Sequence, residues 1–174
     1  MSTYACERGF LCVEATREKI QRDLKHFGYP VIVVGCDGTG KTTLIEEAHG
    51  EKEVIKFTRE SAADWESNPE PKAWSIYDRH PVIDWPVYEA VRIPDTNETM
   101  LFAYWLDRPT VADVLSKVTV VWLTHQYVKT AEGRDLGFVV GKDDRIQEMY
   151  EKFFAIAEAK NVCMRLYKEV NHEQ

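Results

Sequence analysis

Positive charge is in short supply: 22 Lys and Arg stand against 29 Asp and Glu, a formal net charge of −7. An acidic surface repels a phosphate polymer, so nucleic acid is an unexpected partner, a local basic groove excepted. Cysteine is scarce too. Its four copies, Cys6, Cys12, Cys36 and Cys163, form no CxxC pair and show no spacing with histidine that would build a zinc site. Reduced thiols are the simplest reading, and Cys36, inside a glycine-rich loop, reads as a small filler. Long apolar runs are missing, both behind a basic amino-terminal start and elsewhere at membrane-spanning length. A cytoplasmic protein with no membrane partner is therefore expected. Linkers rich in Gly/Ser or Pro, fixed-period repeats and low-complexity tracts are also lacking, which leaves one domain over residues 1–174.

What is present suits an ordinary soluble core, with apolar residues at 44% and charged residues at 29%. Five short runs are apolar without alternation, as strands buried on both faces are: VIVVG at 31–35, VIKF at 54–57, WSIYD at 74–78, VTVVWL at 118–123 and VCMRLY at 162–167. Helical spacing occurs between them. Residues 16–27 place Ile20, Leu24 and Phe27 on one side, in what reads as an N-terminal helical extension over 1–28. Helices are also expected after residue 41, over 98–106, and over 143–160, where Ile146, Met149, Tyr150, Phe153, Phe154 and Ala157 share a face that reads as core. Strands alternating with helices predict a three-layer α/β domain around a five-stranded parallel sheet.

The chemistry concentrates at VIVVGCDGTGKTT, residues 31–43. Gly35, Gly40, Lys41 and Thr42 fit the G-x-x-x-x-G-K-[ST] pattern of a P-loop between a strand and a helix. Glycines let backbone N–H groups of 35–43, Gly38, Thr39 and Thr43 included, converge on phosphate oxygens, and the helix N-terminus adds positive potential. Lys41 would reach the outer phosphates of ATP, and the Thr42 hydroxyl would ligate Mg²⁺.

Three pieces, GCDGTGKTT at 35–43, FTRES at 57–61 and YDRHPVIDWPVYEAV at 77–91, resemble in order the motifs of thymidylate kinases, particularly virus-encoded ones. The resemblance implies a P-loop kinase that uses ATP and Mg²⁺ to phosphorylate a deoxynucleoside monophosphate, thymidylate first. It implies that Asp78 joins Thr42 around the metal, that Arg79 holds the acceptor near the transferred group, that Arg59 pairs with the acceptor phosphate, and that Asp37 contacts the deoxyribose. Asp84 is a candidate for the base or sugar, and Trp85 and Tyr88 for flanking the base. The chain departs from the pattern at Ser61, where the family has proline, and in the short span between Arg59 and Asp78. FTRESAADW also aligns with a deoxynucleoside kinase motif, which would make Glu60 a general base and set Trp65 beside the base. A 5′-hydroxyl acceptor needs such a base, whereas a monophosphate acceptor is already anionic and mainly needs cations. The Asp-Arg-His segment favours the monophosphate.

Residues 125–145 are polar and carry glycines and arginines, the composition of a lid that closes over phosphoryl transfer. Arg134 is the expected charge-stabilising residue, with Lys129 and Arg145 as competitors. Two further readings stay open: a phage kinase acting on a modified base in DNA, and a regulator that binds nucleotide without turnover. A homodimer through the last strand is also left open.

Overall fold

A computed structural model describes residues 9–27, 30–36, 38–93, 95–125 and 143–170. Strand β1 (Phe10–Ala15) leads into helix α1 (Arg17–Leu24), whose first turn is capped by the Thr16 hydroxyl accepting the Lys19 N–H. Next come β2 (Val31–Val34), α2 (Lys41–Ala48), β3 (Glu53–Ile55), α3 (Arg59–Ala63) and β4 (Ser75–Asp78). The remainder comprises α4 (Pro81–Arg92), α5 (Glu98–Asp107), α6 (Pro109–Ser116), β5 (Thr119–Trp122), α7 (Asp143–Ala159) and β6 (Met164–Glu169).

The strands form one parallel sheet in the order β1-β6-β5-β2-β4-β3. All four side chains of β2 are inaccessible to solvent, which explains its unbroken β-branched run. They alternate between two cores. Val31 and Val33 pack with Ile20 and Leu24 of α1 and with Leu44, Ile45 and Ala48 of α2. Ile32 and Val34 face the larger core built by α4, α5, α6 and α7. The helix that follows β2 thus lies on one face, while α4 and α7, which follow its neighbours β4 and β5, lie on the other. Strand ends whose connections part in this way leave a crevice at the carboxyl edge of the sheet.

The α/β class and the parallel sheet flanked by helices are as the sequence predicts, but the sheet has six strands, not five. The supposed helical extension over 1–28 contains β1. As an edge strand, β1 leaves Leu11 46% exposed and carries Glu14, so no continuous apolar run announces it. The last strand begins at Met164, and β3 is only three residues long, its first two residues exposed at the opposite edge. In α7 the anticipated stripe from Ile146 to Ala157 is buried as core.

Helix α4 had no helical signal because two prolines obscure it. Pro81 stands at its first position, where a missing N–H costs nothing. Pro86 lies inside and cannot donate to the Val82 carbonyl one turn back. Trp105 of α5 replaces that donor: its indole Nε1–H bonds the Val82 carbonyl at 2.7 Å. The proline therefore leaves no unpaired carbonyl, and the replacement locks α5 onto α4.

Candidate active site

The loop between β2 and α2 closes on itself around Lys41. Gly35 sits at φ +150°, and a Cβ there would lie 2.8 Å from the Leu123 carbonyl, so only glycine fits. Gly40, at φ +81°, is the left-handed N-cap of α2. Lys41 is 7% exposed. Its Nζ donates to the carbonyls of Gly35 at 2.8 Å and Cys36 at 3.1 Å, and the Thr39 hydroxyl donates to the Cys36 carbonyl at 2.8 Å. Thr42 and Thr43 are exposed on the first turn of α2, a helix N-terminus that no side chain caps. Asp37 lies outside the described residues.

Register brings the Asp-Arg segment to this loop. Val33 pairs with Asp78 across β2 and β4, and the Arg79 N–H continues the ladder to the Val33 carbonyl at 3.0 Å. Asp78 is buried at the strand end, and its carboxylate stands 4.0 Å from the Lys56 ammonium. Arg79 has φ +70°, an uncommon conformation for a residue with a side chain. Its guanidinium contacts the Tyr88 hydroxyl and lies 5.1 Å from the centre of the Tyr88 ring. The turn thus directs Arg79 along α4.

A cavity of about 410 Å³ opens beside this turn. It gathers Arg59, Asp78, Arg79, Asp84, Trp85 and Tyr88, six residues that the sequence singles out. Glu60 is exposed on α3 and does not line the cavity. Trp65 is buried against Trp105 and His80 and does not line the cavity. The role of Ser61 is local. The Thr58 N–H donates to the Ser61 hydroxyl at 2.8 Å and the Ser61 N–H to the Thr58 hydroxyl at 3.1 Å, a reciprocal cap that fixes the start of α3 and hence Arg59.

The lining also includes Lys56, Phe57, Glu89 and Arg92, none of them a candidate from the sequence. The last two extend the face of α4 that already carries Trp85 and Tyr88, so recognising the helix would have found them. Lys129 and Arg134 lie outside the described residues. Arg145, on α7, donates to Glu148 at 3.0 Å.

Asp84 lines the cavity but is engaged inward. One carboxylate oxygen accepts the His80 N–H at 2.8 Å, and the other accepts the Tyr150 hydroxyl of α7. Burial pushes its carboxyl up, while Arg79, Tyr150 and the His80 N–H oppose the shift. Burial likewise raises the Tyr150 phenol well above its ordinary value, with the Asp84 charge adding to the effect.

His80 caps α4: its Nδ1 accepts the Val82 N–H at 3.0 Å. Phe57, Trp65 and Tyr77 surround the imidazole, and burial pushes its pKa down to about 3. The unfolded chain takes up that proton near the ordinary value of 6.5, so between pH 6.5 and about 3 it binds protons that the folded chain refuses. Stability must fall as pH falls through this window, by up to about 1.4 kcal/mol per pH unit. Asp84 acts in the opposite sense, since its raised carboxyl binds a proton more readily when folded. Comparison with His80→Asn, which keeps a capping oxygen and retains Asp84, separates the two. Urea unfolding from pH 7 to pH 5 is expected to show the wild type losing stability relative to that variant; parallel curves would remove His80 as the cause.

Among the described residues, no group of three His, Cys, Asp or Glu is placed to hold a metal, and no helix is long and apolar enough to cross a membrane. The Thr42 hydroxyl is exposed and the Asp78 carboxylate lies at the strand end, oxygen donors of the type that a hard divalent cation takes. Magnesium ordinarily takes one or two protein oxygens and completes its shell with water and substrate phosphates. The fold and crevice define an α/β protein with a parallel sheet and a ligand-sized cavity at its carboxyl edge. The chain matches no family model, no curated protein and no solved structure.

Proposed function

We propose that the protein is a P-loop nucleotide kinase that transfers the γ-phosphoryl group of ATP to a deoxynucleoside monophosphate, with thymidylate the first candidate. The observation that carries this reading is the adjacency of two differently built sites. One is a glycine loop closed around a lysine at a helix N-terminus, suited to a polyphosphate. The other is a cavity with aromatic walls and three arginines, Arg59, Arg79 and Arg92, suited to an aromatic anion. Asp78 and Arg79 lie at the junction, joined to the loop through β2.

In this reading the ATP phosphates lie on the loop amides and compete with the Gly35 and Cys36 carbonyls for the Lys41 ammonium. Thr42 and Asp78 would supply oxygens to hold Mg²⁺, which would offset charge on the phosphates. Arg59 and Arg79 draw the acceptor phosphate against the repulsion of ATP. An acceptor oxygen then forms a bond to the γ-phosphorus as the bond to the β–γ bridging oxygen breaks, and ADP leaves. Trp85 is 48% exposed and offers a face for the base. A nucleoside acceptor fits less well, because Glu60 lies outside the cavity that would hold its hydroxyl.

ADP release in the presence of ATP and Mg²⁺ tests the proposal, with thymidine and each of the four deoxynucleoside monophosphates supplied separately. Release with a monophosphate and none with thymidine is expected. Release with thymidine alone would transfer the chemistry to a nucleoside kinase. ATP binding with no release in any arm would favour a modified base in DNA or a non-catalytic regulator.

A further inference from the structure

Pairing of β1 with β6 places Ala15 opposite Glu169, and the Val170 N–H extends the ladder to the Ala15 carbonyl at 2.9 Å. Arg17, two residues on and in the first turn of α1, thereby arrives beside the Glu169 side chain. Its Nε donates to Glu169 Oε2 at 2.8 Å and its Nη2 to Oε1 at 3.3 Å. The same Nη2 donates to the main-chain carbonyl of Thr39, in the glycine loop, at 2.6 Å. Glu169 is 2% exposed and also accepts the His125 N–H at 3.0 Å. A guanidinium suits this geometry because its rigid planar fork can serve a carboxylate and a carbonyl together.

The bond to Thr39 has a direct consequence for its peptide unit. In a trans peptide the C=O and the following N–H point in opposite directions. Pinning the Thr39 carbonyl toward Arg17 therefore turns the Gly40 N–H away from Arg17. A Cβ on Gly40 would lie 2.9 Å from Arg17 Nη1, so the guanidinium packs directly on the glycine. The carbonyl is held by a cation whose charge Glu169 balances, and the orientation of the loop amide is set before any ligand arrives.

We infer that Arg17 is a positioning residue for the phosphate loop, delivered there by the β1–α1 unit and held in place by Glu169. This rests on reading residues 35–42 as a phosphate site. The test compares the full-length wild type with Arg17→Ala, Arg17→Lys and Glu169→Gln. Lys19→Ala is the control, since it removes an exposed ion pair on the same helix. The readouts are KM for ATP, kcat, and amide hydrogen exchange at residues 38–42.

Both Arg17 variants are expected to raise KM for ATP by about tenfold with a smaller change in kcat, and to speed exchange at 38–42. Lysine keeps the charge but lacks the fork, so it should not rescue; Glu169→Gln should shift KM in the same direction, and Lys19→Ala should change neither. A folded Arg17→Lys chain with wild-type KM and exchange would overturn the inference, and that variant decides the matter if Arg17→Ala does not fold. Failure of ATP to bind or turn over in the wild type would overturn the kinase reading instead. Unchanged exchange in Arg17→Lys would still overturn the brace on its own.

Discussion

Lys41→Met is expected to lower ATP turnover by about 10²- to 10³-fold while leaving the fold intact. Preorganised cations and donors at a transferring phosphoryl group contribute on that scale, and methionine retains the length of the side chain without its charge. The folded chain should tolerate the change because two effects oppose each other. The Gly35 carbonyl loses a 2.8 Å donor, and leaving a buried acceptor unpaired costs about 1–3 kcal/mol. Against this, a buried ammonium is removed, which relieves its desolvation. The Cys36 carbonyl still accepts the Thr39 hydroxyl. A melting temperature within several degrees of the wild type is the expected result, checked beside ADP release. A folded Lys41→Met chain with undiminished turnover would take the loop out of the mechanism.

Segments whose structure is determined by their own residues were legible in the sequence. Strand β2 is one, since burial on both faces demands an unbroken apolar run. The stripe of α7 is another, because one face meets the core and the rest meets water. Strand β1 was hidden for the converse reason: half of an edge strand faces solvent, and its identity depends on pairing with β6 far along the chain. Helix α4 was hidden because proline's effect depends on what answers the orphaned carbonyl, and Trp105 answers it from another helix. The candidate site divides in the same way. Its loop and its Asp-Arg turn are local motifs, and both come to the carboxyl edge of the sheet. Arg17 and Glu169 are separated by 152 positions, and no local pattern announces their contact.

Arg59→Ala and Glu60→Gln, neighbours on one short helix, are expected to behave very differently. The reciprocal cap between Thr58 and Ser61 fixes the first turn of α3, and of the two side chains only Arg59 reaches the cavity. If it pairs with an acceptor phosphate, its loss removes a charge-assisted interaction worth about 1.5–3 kcal/mol, and kcat/KM for the monophosphate should fall by about 10- to 100-fold. The loss should fall mainly on KM for the acceptor, with KM for ATP little changed, since the glycine loop lies on a different strand end. Glu60→Gln should stay within about twofold of the wild type, as expected for an exposed residue that makes no contact with the reactants. A general base would behave otherwise, costing about 10²- to 10⁴-fold when neutralised. Measured with thymidylate and with thymidine, the pair of variants therefore assigns the acceptor: a large Arg59 effect with a silent Glu60 supports the monophosphate, and the reverse would make the cavity a nucleoside site whose helix α3 must turn to bring Glu60 inward.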